Sequence, residues 1–137
     1  MPETPLYPSS KTVLIVEDDR GVMELLKIVL AREGFKVTEA IDGEEALQKA
    51  RQEPPPDLIL LDLMLPKSGG FEVVRELQDE NTGGIPVVIM TGRAMDRSTS
   101  EMILHEANVR EYLEKPVKPA ALCALLHKLL NTRPAMH

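Results

Sequence analysis

The sequence predicts an α/β fold of the doubly wound kind, a (βα)5 sandwich with a five-stranded parallel sheet and helices on both faces. Three observations carry this. Short apolar, β-branched runs alternate five times with segments whose apolar residues recur at helical spacing. The most apolar of those runs are four or five residues long without polar alternation, the pattern of strands covered on both faces, as a parallel sheet requires. At 137 residues the chain has the length of one domain with one sheet.

Each element has its own signal. Thr12 to Val16 reads as a buried strand. Val22, Leu25, Leu26, Val29 and Leu30 follow at helical spacing, and Gly34 ends that helix. Residues 35–40 alternate as a second strand. Asp42 caps a helix over about 43–52, with Glu45 three residues on as the capping-box partner. Residues 58–61 form the most apolar strand, which places it centrally. Residues 70–78 form a third helix with Phe71, Val74 and Leu77 on one face. Residues 85–90 are β-favouring, 98–107 read as a fourth helix, and 111–113 as a short fifth strand. The last helix covers 119–130, with Pro119 in its first turn. Residues 1–10 and 132–137 read as a disordered tail and a C-terminal tail around a domain at 11–131.

Composition excludes several classes of function. The net charge is −6, so these residues repel phosphate backbones and direct nucleic-acid binding is not expected of them. The aromatics are Tyr7, Phe35, Phe71 and Tyr112, too few to stack single-stranded bases. Cys123 is the one cysteine, so no internal disulfide forms and a reducing compartment is expected. No basic stretch precedes an apolar one at the start, and no run approaches the roughly 20 apolar residues of a membrane helix. No membrane contact and a cytoplasmic location are the expectation.

In doubly wound folds ligands bind outside the carboxyl ends of the strands. The first strand ends in Glu17-Asp18-Asp19, the third in Asp62, the fourth in Thr91 and the fifth in Lys115-Pro116. Carboxylates from the first and third strands meet there and repel, unless a cation joins them. Carboxylates, a carbonyl and waters suit Mg²⁺, and a nearby lysine adds a fixed positive charge. Such a pocket suits a phosphoryl group, or a carboxylate nucleophile that accepts one. Asp19 reads as the cap of the first helix. His105, His127 and His137 have no metal-ligand spacing and read as surface residues. Leu122, Leu125, Leu126 and Leu129 read as core packing, and Cys123 as a buried or half-buried residue without chemistry.

Taken together these motifs resemble the response-regulator receiver domains of bacterial two-component signalling. The motifs are Val13-Leu14-Ile15-Val16-Glu17-Asp18-Asp19, Leu58 to Pro66, Gly70-Phe71-Glu72, Val88 to Gly92 and Tyr112 to Pro116. The resemblance covers nearly the whole domain and implies a flavodoxin-like winding of the sandwich. It makes Asp62 the phosphoacceptor and gives the Mg²⁺ ligands as Asp18, Asp62, the Met64 backbone carbonyl and, through water, Glu17, with Mn²⁺ as a substitute. Lys115 and Thr91 would bind the phosphoryl group, the bond to Pro116 would be cis, and Thr91 with Tyr112 would form the switch. Met64 and Arg93 would tune the dephosphorylation rate. The implied donor is a histidine kinase or histidine phosphotransfer protein, and the implied output is a change on the helix 4–strand 5–helix 5 face (98–107, 111–113 and 119–130). That face would serve an unknown downstream protein or a homodimer. The chain would be a signalling domain and not an enzyme, catalysing only its own phosphorylation and dephosphorylation.

Two departures stand out. Lys67-Ser68-Gly69 replaces the Met-Asp pair common before the glycine at 70. Asn108 replaces a usual glycine and can take a left-handed turn. Among competing readings, a receiver fold that is never phosphorylated, acting only as a protein interaction module, would lack Asp62 or Lys115. A haloacid-dehalogenase-type phosphatase needs an aspartate at the place of Met64. A flavin carrier wants a phosphate-cradling loop where Glu17-Asp18-Asp19 stands.

Overall fold

The computed structural model describes residues 7–65, 70–79, 81–92, 101, 105–106 and 108–134. Its elements in chain order are β1 (Thr12–Val16), α1 (Arg20–Arg32), β2 (Lys36–Ala40), α2 (Gly43–Ala50), β3 (Leu58–Asp62), α3 (Gly70–Glu76), β4 (Val87–Thr91), β5 (Val109–Glu114) and α4 (Pro119–Leu130). The five strands form one sheet in the order β2-β1-β3-β4-β5, and every neighbouring pair is parallel. The doubly wound α/β expectation holds. The helix expected over 98–107 lies largely outside the described residues.

Side chains along a strand alternate between its two faces, and here that alternation divides the core in two. Leu14, Val16, Ile59, Leu61, Val87 and Ile89 pack with Ala46 and Ala50 of α2 and Val73 and Val74 of α3. Val13, Ile15, Leu58, Leu60, Val88 and Met90 pack with Met23, Leu26 and Leu30 of α1 and Leu122, Leu126 and Leu130 of α4. All five residues of β3 and of β4 are buried, which is why those stretches are apolar without alternation. Burying one large aliphatic side chain stabilises by about 1.5–3 kcal/mol, so the two layers fix the strand register strongly.

Local signals set most helix ends. The Asp19 carboxylate accepts from the Val22 amide at 3.0 Å, and that of Asp42 from the Glu45 amide at 2.8 Å. Glu45 reaches back to the Ile41 amide at 3.1 Å, one residue before the cap. Gly34 ends α1 at φ 102°, a conformation glycine adopts without strain.

Other ends differ from expectation because turns compete for the backbone. Residue 85 belongs to a turn, its amide bonded to the Thr82 carbonyl at 3.0 Å, so β4 starts later. The Gln78 amide bonds back to Arg75 at 3.1 Å, and α3 stops sooner than 78. β5 is longer than 111–113. Among the described residues the left-handed asparagine is Asn131, at φ 52°, and not Asn108.

One expectation needs correction. His127 is buried, at 7% exposure, not a surface residue. Its Nδ1 lies 2.7 Å from Thr132 Oγ1 and its Nε2 2.8 Å from a Glu33 carboxylate oxygen, and its ring packs on Phe35. Partners on both nitrogens make the burial tolerable. Pro8–Ser10 form a 3-10 turn with Pro8 buried, and Thr132 is buried.

The turn after α3 carries a pH-dependent prediction. Asp79 Oδ1 lies 2.8 Å from Thr82 Oγ1 and accepts from the amides of Thr82 and Asn81, both at 2.9 Å. The Thr82 hydroxyl first, then the Thr82 amide, hold the Asp79 carboxyl below its usual range. A depressed carboxyl contributes stability above its unfolded pKa, about 3.9, and loses it as pH falls through the folded value. Asp79→Asn is therefore less stable than the parent at neutral pH in urea unfolding, and the gap closes as pH drops below about 4. A gap that stays constant into acid contradicts this.

Candidate functional site

The parallel register brings four polar residues to one row at the carboxyl ends of the strands. Val16 pairs with Leu61, so Glu17 and Asp62 come next side by side. Asp62 pairs with Met90 and Thr91 with Glu114. The Lys115 amide then donates to the Thr91 carbonyl at 2.7 Å, which carries the ladder one step further. Strand alternation gives Glu17 and Asp62 the same parity as Ile15 and Leu60, so both carboxylates point to one side of the sheet.

Glu17 is fully buried, Asp62 is 3% exposed and Thr91 is 3% exposed. Lys115 Nζ donates to Glu17 Oε1 at 2.6 Å and to Asp62 Oδ2 at 2.9 Å. The Met64 amide donates to Asp62 Oδ1 at 3.0 Å. Asp18, at the exposed rim, completes a set in which one carboxylate oxygen each from Glu17, Asp18 and Asp62 lie within 4.8 Å of one another. The Lys115-Pro116 bond is cis, as expected, and so is Glu53-Pro54.

This charge balance is unusual. Three carboxylates and one ammonium leave a formal excess of two negative charges. Burying unpaired charge costs several kcal/mol per ion. Burial pushes the Glu17 carboxyl up to about 8, and its contact with Asp62 acts the same way against the pull of Lys115. Burial also acts to raise Asp62, but the neighbouring Glu17 carboxyl and the bonds from Lys115 and the Met64 amide outweigh it and hold that carboxyl below the usual range. Burial would lower Lys115, yet its bonds to Glu17 and Asp62 hold it above the usual lysine range. Of this pair Asp62 is the more acidic carboxyl, with an ammonium alongside.

The donor set fits a hard divalent cation. Glu17 Oε2 is buried with no hydrogen-bond partner, an orphan that a cation or its water would satisfy. An all-oxygen set with two formal charges in excess is the chemistry Mg²⁺ takes up.

The remaining sequence candidates fall around this cluster. Thr91 ends β4 next to Asp62's pairing partner. Tyr112 is half-buried against the core layer that contains Ile89. Met64 is 65% exposed. Arg93 lies outside the described residues. Sequence reasoning gave Gly70 no part in the site, although a Cβ there would stand 2.8 Å from the Asp62 carbonyl oxygen. Its signal was a glycine at the first position of a helix, eight residues after the aspartate.

Comparison with known proteins agrees with this geometry. Residues 13–127 match the family model described as the response regulator receiver domain. The chain is 37% identical over 122 residues to the alkaline phosphatase synthesis transcriptional regulatory protein PhoP of Bacillus subtilis, covering 89% of this chain and 49% of that protein. It is 41% identical over 120 residues to the DNA-binding response regulator MtrA of Mycobacterium tuberculosis, covering 87% of this chain and 50% of that protein. The chain thus spans about half the length of these curated relatives.

Among solved structures, it is similar to a CheY-like receiver domain protein from Methanospirillum hungatei (TM-score 0.78, 29% identity, 88% of this chain and 93% of that one). It is also similar to the receiver domain of the sensor histidine kinase PA1611 from Pseudomonas aeruginosa, solved with a magnesium ion in its active-site cleft (TM-score 0.79, 28% identity, 89% and 98%). A family match over most of the chain, on a five-stranded sheet of the same winding, places this chain among the response-regulator receiver domains of two-component signalling.

Proposed function

We propose that this receiver domain accepts a phosphoryl group on Asp62 and switches a protein-binding face in response. The observation that carries the reading is Lys115 bonded to buried Glu17 and Asp62 inside a carboxylate triad at the strand ends. Receiver domains of this family interact with histidine kinases, and the donor is then phosphohistidine on a histidine kinase or a histidine phosphotransfer protein. A carboxylate oxygen of Asp62 bonds to phosphorus as the phosphorus–nitrogen bond breaks, and its electron pair returns to the imidazole. Lys115 offsets the charge on the phosphoryl oxygens, and the Thr91 hydroxyl donates to one of them. Asp18, Asp62, the Met64 carbonyl and, through water, Glu17 would hold Mg²⁺ or Mn²⁺. The ion would supply charge neutralisation at the transferring group.

The product adds a charge of about −2 beside Thr91 and Lys115. Thr91 moves toward it, Tyr112 turns inward, and the face of residues 98–107, β5 and α4 changes for a downstream protein or a second copy of the chain. Among the described residues no helix is long and apolar enough to cross a membrane, in keeping with a cytoplasmic role. The relatives named as DNA-binding are about twice as long as this chain, and its acidic charge argues that nucleic acid is not contacted by these residues.

Intact mass after incubation with a small-molecule phosphodonor tests the reading. A single phosphoryl adduct appears with Mg²⁺, is lost with a chelator and is absent in Asp62→Asn. No adduct while Mg²⁺ still binds would favour a pure interaction module.

The lifetime of that adduct is a second prediction. Hydrolysis needs a water aimed at phosphorus, and the exposed apolar side chain of Met64 cannot hold one. We read the aspartyl phosphate as slow to decay, persisting for minutes or longer, with Met64→Gln decaying faster. A parent half-life of seconds contradicts this.

A further inference from the structure

The peptide group joining Leu63 to Met64 is rigid and planar, and it is held at both ends. Its N–H, on Met64, donates to Asp62 Oδ1 at 3.0 Å. Its C=O, on Leu63, accepts from the Gly70 amide at 3.0 Å. The tilt of this plane therefore sets where Asp62 Oδ1 points, and Gly70 fixes the tilt. Asp62 Oδ2 is then left facing Lys115 at 2.9 Å.

The approach that makes this bond leaves no room for a side chain. Gly70 is buried at the start of α3. A Cβ there would stand 2.7 Å from Leu63 Cα, 2.8 Å from the Asp62 carbonyl oxygen and 2.9 Å from the Leu63 carbonyl oxygen. All three are backbone atoms, inside van der Waals contact, and no side-chain rotation relieves them. Any residue but glycine drives α3 and the 62–64 peptide planes apart.

We propose that Gly70 is a positioning residue for the Asp62 site: its amide and its bare Cα hold the 63–64 peptide plane that orients the Asp62 carboxylate. This rests on Asp62 being the metal-binding nucleophile and goes beyond it, because Gly70 touches neither metal nor phosphoryl group. Partners that orient a metal ligand cost about 10–100-fold in affinity or activity when lost.

The test is a titration of the whole chain with Mg²⁺ by calorimetry, followed by phosphodonor labelling at saturating Mg²⁺. Gly70→Ala is compared with Val74→Ala, which opens the core under α3 at a fully buried position and leaves the Gly70 amide and bare Cα in place. Gly70→Ala binds Mg²⁺ about tenfold or more weakly and labels more slowly. Val74→Ala, although destabilised, keeps the parent's affinity and rate. Equal affinity and rate in Gly70→Ala and the parent overturn the proposal, as does an equal loss in both variants. Should Gly70→Ala not fold, amide hydrogen exchange of the parent decides. Mg²⁺ slows exchange at Gly70 if the clamp and the site are coupled, and unchanged exchange refutes it. A parent that binds no Mg²⁺ fails the underlying reading instead, and the role of Gly70 falls with it.

Discussion

Like charges forced together at the end of a buried sheet are the constraint on which this structure depends. Glu17 and Asp62 arrive side by side because β1 and β3 pair in parallel through their apolar residues. The register is fixed by the two core layers, and the carboxylates must follow it. Lys115 offsets one charge from across the sheet, bonded to both. The remaining excess would suit a divalent cation. Stability is given up at the strand ends and supplied by the fully buried strands behind them, an arrangement common where function needs an unfavourable site.

The same packing defines what is held still and what is free to respond. β3 and β4 are buried along their whole length, so Asp62 and Thr91 project from fully packed strands. β5 is an edge strand exposed along much of its length, and Tyr112 lies on it, half-buried. A charge added at Asp62 would act on a rigid centre and be read out at a softer edge. Far from that site, the buried His127 ties the end of α1, through Glu33, to the end of α4, through Thr132.

Much of this was legible in the chain. The apolar runs at Val13 to Val16 and Leu58 to Leu61 have no polar positions because both of their faces are covered. Asp19 and Asp42 are caps by residue type and position. The candidate site residues stand out as polar residues ending apolar strands, and the motifs that carry them resemble a known family. What escaped were contacts between residues far apart in sequence. His127 carries no local sign of burial, because Glu33 stands 94 residues away. Glu17 could be placed at the rim but not under Lys115, 98 residues on, so its complete burial could not be read. Helix and strand ends were missed where a turn such as that at Thr82 took the backbone groups instead. Gly70 was read as a helix start, since only the folded chain brings Leu63 against it.

The most direct measurement compares urea unfolding of the parent and Glu17→Gln, each in a chelator and in Mg²⁺. If the buried carboxylate excess is a cost that a cation relieves, the variant is the more stable of the two in the chelator, and Mg²⁺ stabilises the parent more than the variant. A variant less stable than the parent in the chelator, or a parent whose midpoint Mg²⁺ leaves unmoved, would contradict the account.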